Sequence, residues 1–180
     1  MKLRLANYFE DVAKEDIFDY IPPQKTNQIF TPKKLVQEMV DILEKECPGC
    51  FDDPTKTFID LYMKSGLYIT EIVKRLYNSP KIKSLFPDKQ ARLRHIFEHQ
   101  VYGLAPTEII YRIATAYILG FDHTVSITKH NLRQWDALES IRQEKESKKG
   151  NLLEKKLEEL FPKMKSVKQA TRLKLKDAIE

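Results

Sequence analysis

The sequence lacks any long apolar run, and it is poor in cysteine, glycine and tryptophan. No hydrophobic stretch approaches the ~20 residues that span a bilayer, so a membrane-spanning protein is not expected. The first residues, MKLRLANYFEDVAKED, carry acids where a signal peptide has its apolar region, and we therefore expect a cytoplasmic protein. With 42% hydrophobic and 32% charged residues, the 180-residue chain has the composition of an ordinary globular domain.

The two cysteines occur together in CPGC, residues 47–50, which is the spacing of a redox pair or of half a zinc site. A zinc site needs two further ligands at close spacing, and the four histidines lie far away in no matching pair. A thioredoxin-like pair opens a helix, whereas this one follows a predicted helix. We therefore interpret the pair as a Pro-Gly turn with incidental thiols, and we expect no metal site.

Glycine is scarce, and Gly66 is the only one of the five that lies between a predicted strand and the next helix. The surrounding YMKSGL fits neither the G-x-G-x-x-G dinucleotide motif nor a P-loop. Two interpretations stay open. Ser65 and Gly66 form a tight turn for geometry alone, or they let a ligand approach the backbone beside a helix N-terminus, where N–H groups bind carboxylates and phosphates.

The net charge of +5 and the pI near 9.0 favour an anionic partner, but 31 basic residues against 26 acidic ones are only a mild bias. The final stretch, residues 163–176, holds six basic residues and no acid. It either contacts nucleic-acid phosphates or is a solvated chain end.

Helices and strands are predicted to alternate along most of the chain. Residues 7–20 suggest a helix, and Thr31 and Pro32 are the predicted N-cap and first residue of the next one. Short apolar runs at residues 57–61, 100–105 and 124–128 predict strands. Apolar side chains at helical spacing predict the buried faces of three helices: Leu35, Val36, Met39, Val40 and Leu43; Ile69, Ile72, Val73, Leu76 and Tyr77; and Ile109, Ile110, Ile113, Ala114 and Tyr117.

This alternation is typical of an α/β domain with a parallel sheet of about three strands, which binds ligands at the carboxyl ends of its strands. We expect Asp60 and the segment after Leu104 at that edge. We divide the chain into a helical segment (1–28), a core (29–140) and a charged linker, helix and basic tail (141–180). In the last part, Asn151 and Glu154 have the spacing of a capping box.

Three blocks resemble the gamma-class adenine-N6 DNA methyltransferases of bacterial restriction-modification systems. They are IFTPKKLVQEMVDIL, FIDLYMKSGLYITEIVKRLY and RLRHIFEHQVYGLAPTEIIYRIATAYILGF, in the order that the family has. The resemblance covers roughly residues 20–140 and implies part of a Rossmann-like methyltransferase fold with S-adenosylmethionine as cofactor. FTPKKLV is similar to the block that closes over the methionine end of the cofactor, which implies contacts from Phe30, Thr31 and Pro32.

DLYMKSG is similar to the cofactor loop of the family. The resemblance implies that Asp60 pairs with the ammonium group of the cofactor and that the rest of the loop lies against its methionine part. The implied loop contacts are Tyr62, Ser65, Gly66 and Leu67.

The resemblance is weaker where the family holds the rest of the cofactor. Many relatives bind the ribose hydroxyls with an acid at the position of Ala105, and Glu108 is the nearest replacement or simply an acid in the first turn of a helix. QWDAL is similar to the block that binds the adenine amino group. Asp136 is either that ligand or a solvated acid.

The chain has no Asn/Asp-Pro-Pro-Tyr/Phe block, in which the family holds the target amino group and stacks on the flipped base. We therefore assign no catalytic residue and predict that the chain alone transfers no methyl group. DNA is expected to be a partner of the complete enzyme. A three-stranded sheet should leave a face and an edge exposed, which favours self-association or a complementary methylase or restriction polypeptide. A non-catalytic module that binds nucleic acid or a restriction subunit is the alternative.

Overall fold

The computed structural model describes residues 31–119, 127–147 and 152–164, in which helices surround a small sheet. None of the helices in these ranges is long and apolar enough to cross a bilayer. In chain order the elements are α1 (Lys33–Glu46), β1 (Phe58–Asp60), α2 (Leu67–Asn78), α3 (Pro80–Leu85), α4 (Lys89–His95), a π-helical turn (Ile96–Gln100), β2 (Val101–Ala105), α5 (Glu108–Leu119), β3 (Asn131–Gln134), α6 (Ala137–Ser147) and α7 (Leu152–Leu160).

The sheet is parallel, with β2 between β1 and β3. Asp60 at the end of β1 pairs with Gly103, and Ala105 at the end of β2 pairs with Gln134. The predicted α/β class, with a partial Rossmann-like sheet of three strands, is therefore confirmed. No described strand pairs with the free edge of β1.

One face of the sheet is covered by α2 and α5, and α1 packs against α2. The predicted apolar side of α2 is buried as expected, because its spacing places Ile69, Ile72, Val73 and Leu76 on one side of the helix. These side chains pack into the main core together with residues of the other elements: Val40, Phe51, Phe58, Phe97, Val101, Ala114 and Ile118.

The opposite face is also covered, which corrects the expectation of an exposed sheet face. Tyr102 and Leu104 of β2 are 2% and 0% exposed and pack with Leu157 and Phe161 at the C-terminal helix. The ring of Phe161 meets Tyr102 edge-on, with 5.1 Å between the centroids. The described residues 152–164 thus belong to the same folded unit as the sheet.

The first helix differs from its prediction at both its start and its face. It begins at Lys33, and Pro32 rather than Thr31 is the N-cap, with no side-chain capping bond. Val36 and Val40 are buried, whereas Leu35 and Met39 are about half exposed. Helical spacing identifies an apolar stripe, but the described neighbours cover only one side of it.

The helix after β2, α5, also differs from its prediction: it begins at Glu108 rather than at Pro106, and a different side of it is buried. Ile110, Ala114 and Ile118 form its buried side, while Ile109 is 60% exposed. The predicted stop at Gly120 lies outside the described residues.

The third strand lies later in the chain than predicted. Ile127 and Thr128, the described part of the predicted strand 124–128, have no regular structure, and the strand is Asn131–Gln134. Leu132 is its one fully buried side chain, and its backbone pairs with β2. The side-chain amide of Asn131 also donates to the carbonyl oxygens of Phe97 and Glu98.

The charged stretch from residue 141, predicted to be a linker, continues α6 as far as Ser147. Within that helix, the side-chain amide of Gln143 donates a hydrogen bond to the carboxylate of Glu139 one turn earlier (3.2 Å). Such a pair stabilises a helix on the surface of a protein. The predicted helix 7–20, the cap at Asn151 and the basic tail beyond residue 164 lie outside the described residues.

Candidate functional site at the carboxyl edge of the sheet

Two loops converge on the carboxyl end of β2. The backbone N–H of Met63, in the loop after β1, donates to the carbonyl oxygen of Leu104 (2.7 Å). The N–H of Trp135, directly after β3, donates to the carbonyl oxygen of Ala105 (2.8 Å). The segments after all three strands therefore meet at one edge, as the strand pattern predicts for a parallel sheet.

Met63 anchors the loop that follows β1. Its side chain is fully buried, and its sulfur would lie 2.9 Å from a Cβ atom placed on Gly103. Gly103 is thus the residue of β2 that makes room for the loop. Met63 was not predicted as a site residue, although an apolar residue inside a polar turn is a signal that could have identified it.

Asp60 ends β1 as a partly buried carboxyl group. Its Oδ1 atom accepts a hydrogen bond from the backbone N–H of Tyr62 (3.0 Å), and no described cation pairs with it. Burial raises the pKa of this carboxyl to about 6, although the Tyr62 N–H opposes the shift. A cation beside Asp60 would favour the ionised form, so the site is chemically suited to an ammonium group.

The Ser-Gly turn leads from this loop into α2. Ser65 is buried, and its hydroxyl oxygen accepts a bond from the N–H of Leu67 (3.3 Å). Gly66 has a φ of +83°, in the left-handed region that glycine adopts readily. A Cβ atom there would lie 2.8 Å from two side-chain atoms of Ile118. Packing against α5 therefore requires glycine at this position whether or not a ligand binds.

Tyr68, in the first turn of α2, interacts electrostatically with Asp60, although it was not predicted as a site residue. Burial raises the pKa of its phenol, and the charges of Asp60 and Cys50 raise it further. The Tyr68 hydroxyl thus stays protonated near the Asp60 carboxyl. The position of Tyr68, two residues after Gly66, is the signal that could have identified it.

The region predicted to bind the ribose holds no buried acid. Ala105 is fully buried, while the side chain of Glu108 is 58% exposed and pairs with Arg112 one turn later (2.8 Å). This ion pair matches the interpretation of Glu108 as an acid in the first turn of a helix. No observed contact directs Glu108 toward Asp60.

Asp136 lies on the third loop, next to Trp135. Its Oδ1 atom accepts hydrogen bonds from the N–H groups of Leu138 (3.0 Å) and Glu139 (3.3 Å), so Asp136 caps α6. One carboxylate oxygen is thereby occupied. The other has no bond to a described residue, so the predicted contact with an adenine amino group is not tested by this geometry.

The other predicted contacts are partly outside this edge. Thr31 and Pro32 are exposed before α1, and no described contact joins them to the loop after β1. Phe30 lies outside the described residues. Tyr62 lies in the loop itself, where the ammonium of Lys64 is 5.5 Å from the centroid of its ring.

The edge as described can hold a positively charged group at Asp60 and a carboxylate at the start of α2, where backbone N–H groups lack helical partners. These two features lie on either side of the Ser-Gly turn. Within the described ranges, no cluster of three or more His, Cys, Asp or Glu side chains could hold a metal ion.

Comparison with known proteins finds a similarity to a curated protein. The chain is 26% identical over 98 residues to an "Uncharacterized adenine-specific methylase" of Mycoplasma pneumoniae, a stretch that covers 54% of this chain and 23% of that protein. No family model matches the chain. The similarity supports a relationship to methyltransferases, and the chain spans less than a quarter of the length of this relative.

Proposed function

We propose that this chain is the S-adenosylmethionine-binding portion of a site-specific DNA adenine-N6 methyltransferase from a restriction-modification system. Asp60 carries the proposal: it is a partly buried carboxyl with a raised pKa, beside a glycine turn and a helix N-terminus. The name of the Mycoplasma relative favours adenine as the target.

The methionine part of the cofactor has an ammonium group and a carboxylate, and the edge offers a partner for each. Asp60 would accept hydrogen bonds from the ammonium group. The first turn of α2 would donate backbone N–H groups to the carboxylate. The loop backbone between Asp60 and Gly66, fixed by Met63, would lie against the methionine chain.

The edge fits the ribose of the cofactor less well. Ala105 has no side-chain oxygen, and Glu108 forms an ion pair with Arg112. Backbone groups or water would have to replace the acid there. The unbonded oxygen of Asp136 would accept the adenine amino group at the far end of the edge.

S-adenosylmethionine supplies the methyl group, but the sequence lacks the Asn-Pro-Pro-Tyr-like block that holds the target adenine in the family it resembles. We therefore propose that another polypeptide, or a further part of a longer protein, contributes the Asn-Pro-Pro-Tyr-like block and the DNA-recognition surface. The free edge of β1 is the place where an additional strand would extend the sheet. Methylation of DNA by the pure 180-residue chain would contradict this part of the proposal.

Titration calorimetry with S-adenosylmethionine tests cofactor binding, with Asp53→Asn as a matched control for Asp60→Asn. Both acids accept a hydrogen bond from the backbone N–H two residues later, but Asp53 precedes β1 at the opposite end of that strand. We expect Asp60→Asn to weaken binding by roughly tenfold or more, since a charge-assisted pair is lost. Asp53→Asn should bind as the unmodified chain does.

The alternative is a non-catalytic module that binds nucleic acid or a restriction subunit. The observations that favour it are the missing acid at Ala105 and the missing catalytic block. If the folded chain shows no heat of binding with the cofactor but binds duplex DNA in a salt-dependent way, this alternative replaces the first proposal.

A further inference from the structure

The CPGC segment forms a closed turn that brings the backbones of its two cysteines together. The N–H of Cys50 donates to the carbonyl oxygen of Cys47 (3.1 Å), and Gly49 between them has a φ of +75°. A β-turn brings its first and fourth Cα atoms within about 7 Å of each other. Most disulfides span roughly 4.4–6.8 Å between Cα atoms, so the turn can accept a disulfide with little movement.

The two thiols differ in exposure and in their surroundings. Cys47 is partly exposed at the end of α1, whereas Cys50 is 3% exposed within the main core. Burial, the neighbouring Cys47 and the charge of Glu44 raise the pKa of Cys50 to about 11, with Lys56 acting in the opposite direction.

We propose that Cys47 and Cys50 are a redox-active dithiol, which low-molecular-weight disulfides such as oxidised glutathione convert to an intramolecular disulfide in the folded chain. This inference is independent of the proposed function. It also revises the interpretation of the pair as incidental thiols, because the sequence predicts the Pro-Gly turn but neither the hydrogen bond that closes it nor the difference in burial.

The accessible thiol reacts first. The Cys47 thiolate attacks one sulfur of oxidised glutathione, the disulfide bond of that molecule breaks, and one glutathione leaves as a thiolate that takes up a proton. Cys50 then loses its proton and attacks the Cys47 sulfur, which expels the second glutathione. Overall, two protein thiols are oxidised to one disulfide, and one oxidised glutathione is reduced to two thiols.

A metal site is the other chemistry that two adjacent thiols suggest. Zinc needs four ligands, and the described residues place no suitable third His, Cys, Asp or Glu beside this pair. The dithiol assignment needs only the two sulfur atoms of this turn.

The test is intact-mass analysis of the full 180-residue chain, reduced, freed of reductant, incubated with oxidised glutathione and then alkylated. We expect the mass to fall by two hydrogen atoms, with no glutathione attached and no alkylation. The proposal is wrong if both thiols still alkylate, or if glutathione remains attached to the chain. Circular dichroism before and after the incubation verifies that the chain is folded.

Single-cysteine variants test the order of attack. Cys50→Ala should accumulate a mixed disulfide with glutathione on Cys47, because no second thiol can expel it. Cys47→Ser should form its adduct at least about tenfold more slowly, because the remaining thiol is buried and less ionised. Equal rates for the two variants would overturn the assignment of Cys47 as the attacking thiol.

Thermal melting provides a second measurement on the unmodified chain. The disulfide would join the end of α1 to the segment that leads into β1. Closing this short loop should raise Tm by roughly 2–6 °C in the oxidised chain. An oxidised form that melts below the reduced form would show that the turn must distort to close, contrary to the proposal.

Discussion

Gly66 lies directly against Ile118: a Cβ atom on the glycine would be 2.8 Å from both Cγ1 and Cδ1 of that side chain. Ile118 is 2% exposed in the core between α2 and α5, so it has little room to move. The start of α2, and with it the candidate cofactor loop, is therefore positioned by a packing contact with the helix that follows β2.

Replacing Gly66 with alanine should be more destabilising than replacing Gly49 with alanine. Both glycines have left-handed φ values, +83° and +75°, but an added Cβ at Gly49 would have no atom within 4 Å. Gly49→Ala should thus cost only the backbone term of roughly 1–2 kcal/mol. Gly66→Ala should cost about 1–3 kcal/mol more, because its Cβ overpacks the core.

Urea unfolding of the two glycine variants measures this difference. Adding Ile118→Val to Gly66→Ala removes one methyl group near the contact and should recover part of the extra cost. If Gly49→Ala and Gly66→Ala lose the same free energy of unfolding, the Ile118 side chain moves aside at no measurable cost.

Asp60 should make the chain less stable as the pH rises from about 4 to about 6. Its folded-state pKa is raised from 3.8 to about 6 by burial, so in that window the folded state holds a proton that the unfolded state has released. The stabilising effect of the protonated carboxyl is complete below pH 4 and lost above pH 6. Asp60→Asn should remove this dependence and stabilise the chain at pH 7.5 by on the order of 1–2 kcal/mol.

The measurement is the free energy of unfolding at several pH values from 4 to 8, for the unmodified chain and for Asp60→Asn. Burial lowers the pKa of His95 and of His130, so these side chains also contribute to the dependence of stability on pH. The difference between the two proteins at each pH removes their contribution. A difference that does not change with pH would contradict the raised pKa of Asp60.

Cofactor binding should show the opposite pH dependence. The Asp60 carboxyl must ionise to pair with an ammonium group, so the affinity for S-adenosylmethionine should rise up to about tenfold per pH unit below pH 6 and level off above it. Titration calorimetry from pH 5 to pH 8 measures this. If the affinity is constant across the range, Asp60 is not the ammonium partner.

Arg75 of α2 forms ion pairs with three carboxylates that differ in burial, one in α2 and two in α1. Its Nε atom bonds Glu71 (2.9 Å), which is 1% exposed, and its other nitrogens bond the more exposed Glu44 and Asp41. Arg75→Met should cost about 1.5–3 kcal/mol, because the buried Glu71 carboxylate loses its charge-assisted hydrogen bond with Arg75. Asp41→Asn should cost less than about 1 kcal/mol.

Chemical denaturation of the Arg75 and Asp41 variants, together with the double variant Arg75→Met/Glu71→Leu, tests this ranking. The double variant removes the buried charge as well as its partner and should recover most of the stability. If Arg75→Met and Asp41→Asn lose the same stability, the bond to Glu71 is not the dominant one.

Arg92 connects the end of α2 to the turn between α3 and α4. The guanidinium donates to the carbonyl oxygens of Phe86 (2.9 Å), Pro87 (3.0 Å) and Tyr77 (3.3 Å), and it lies 4.7 Å from the centroid of the Tyr77 ring. Lysine cannot reproduce this planar arrangement, so Arg92→Lys should cost about 2–3 kcal/mol.

The exposed Arg94, two residues later in α4, provides the matched control for Arg92. Arg94→Lys should change the free energy of unfolding by less than about 0.5 kcal/mol. Thermal or urea midpoints of the two variants decide the outcome. Indistinguishable midpoints would mean that the three carbonyl contacts of Arg92 contribute no net stability.

The part of the candidate site that depends on residues close together in the sequence could be predicted. An apolar run that stops at Asp60, followed by Ser65 and Gly66 and an amphipathic helix, predicts a strand, a turn and a helix with the acid at the carboxyl edge. The structure has that arrangement. Tyr68 and Met63 were missed, because their proximity to Asp60 and Gly103 depends on how the loop folds back onto β2.

The third strand shows where local propensity fails. Residues 124–128, TVSIT, have β-branched side chains and read as a strand, yet Asn131–Gln134 pairs with β2. A strand at the edge of a sheet needs few apolar side chains, and Leu132 shares the space beside Gly103 with Met63. Backbone pairing with a partner thirty residues away decides the register, and no local pattern contains that information.

The sequence by itself determined the α/β class, the spacing of the buried side chains in α2 and the turn at Ser65 and Gly66, since each depends on residues a few positions apart. Only the tertiary structure decided which sides of α1 and α5 are covered, that α6 and α7 close the second face of the sheet, and why Gly66 must be glycine. Those outcomes depend on which surfaces meet, and such contacts join residues far apart in the chain.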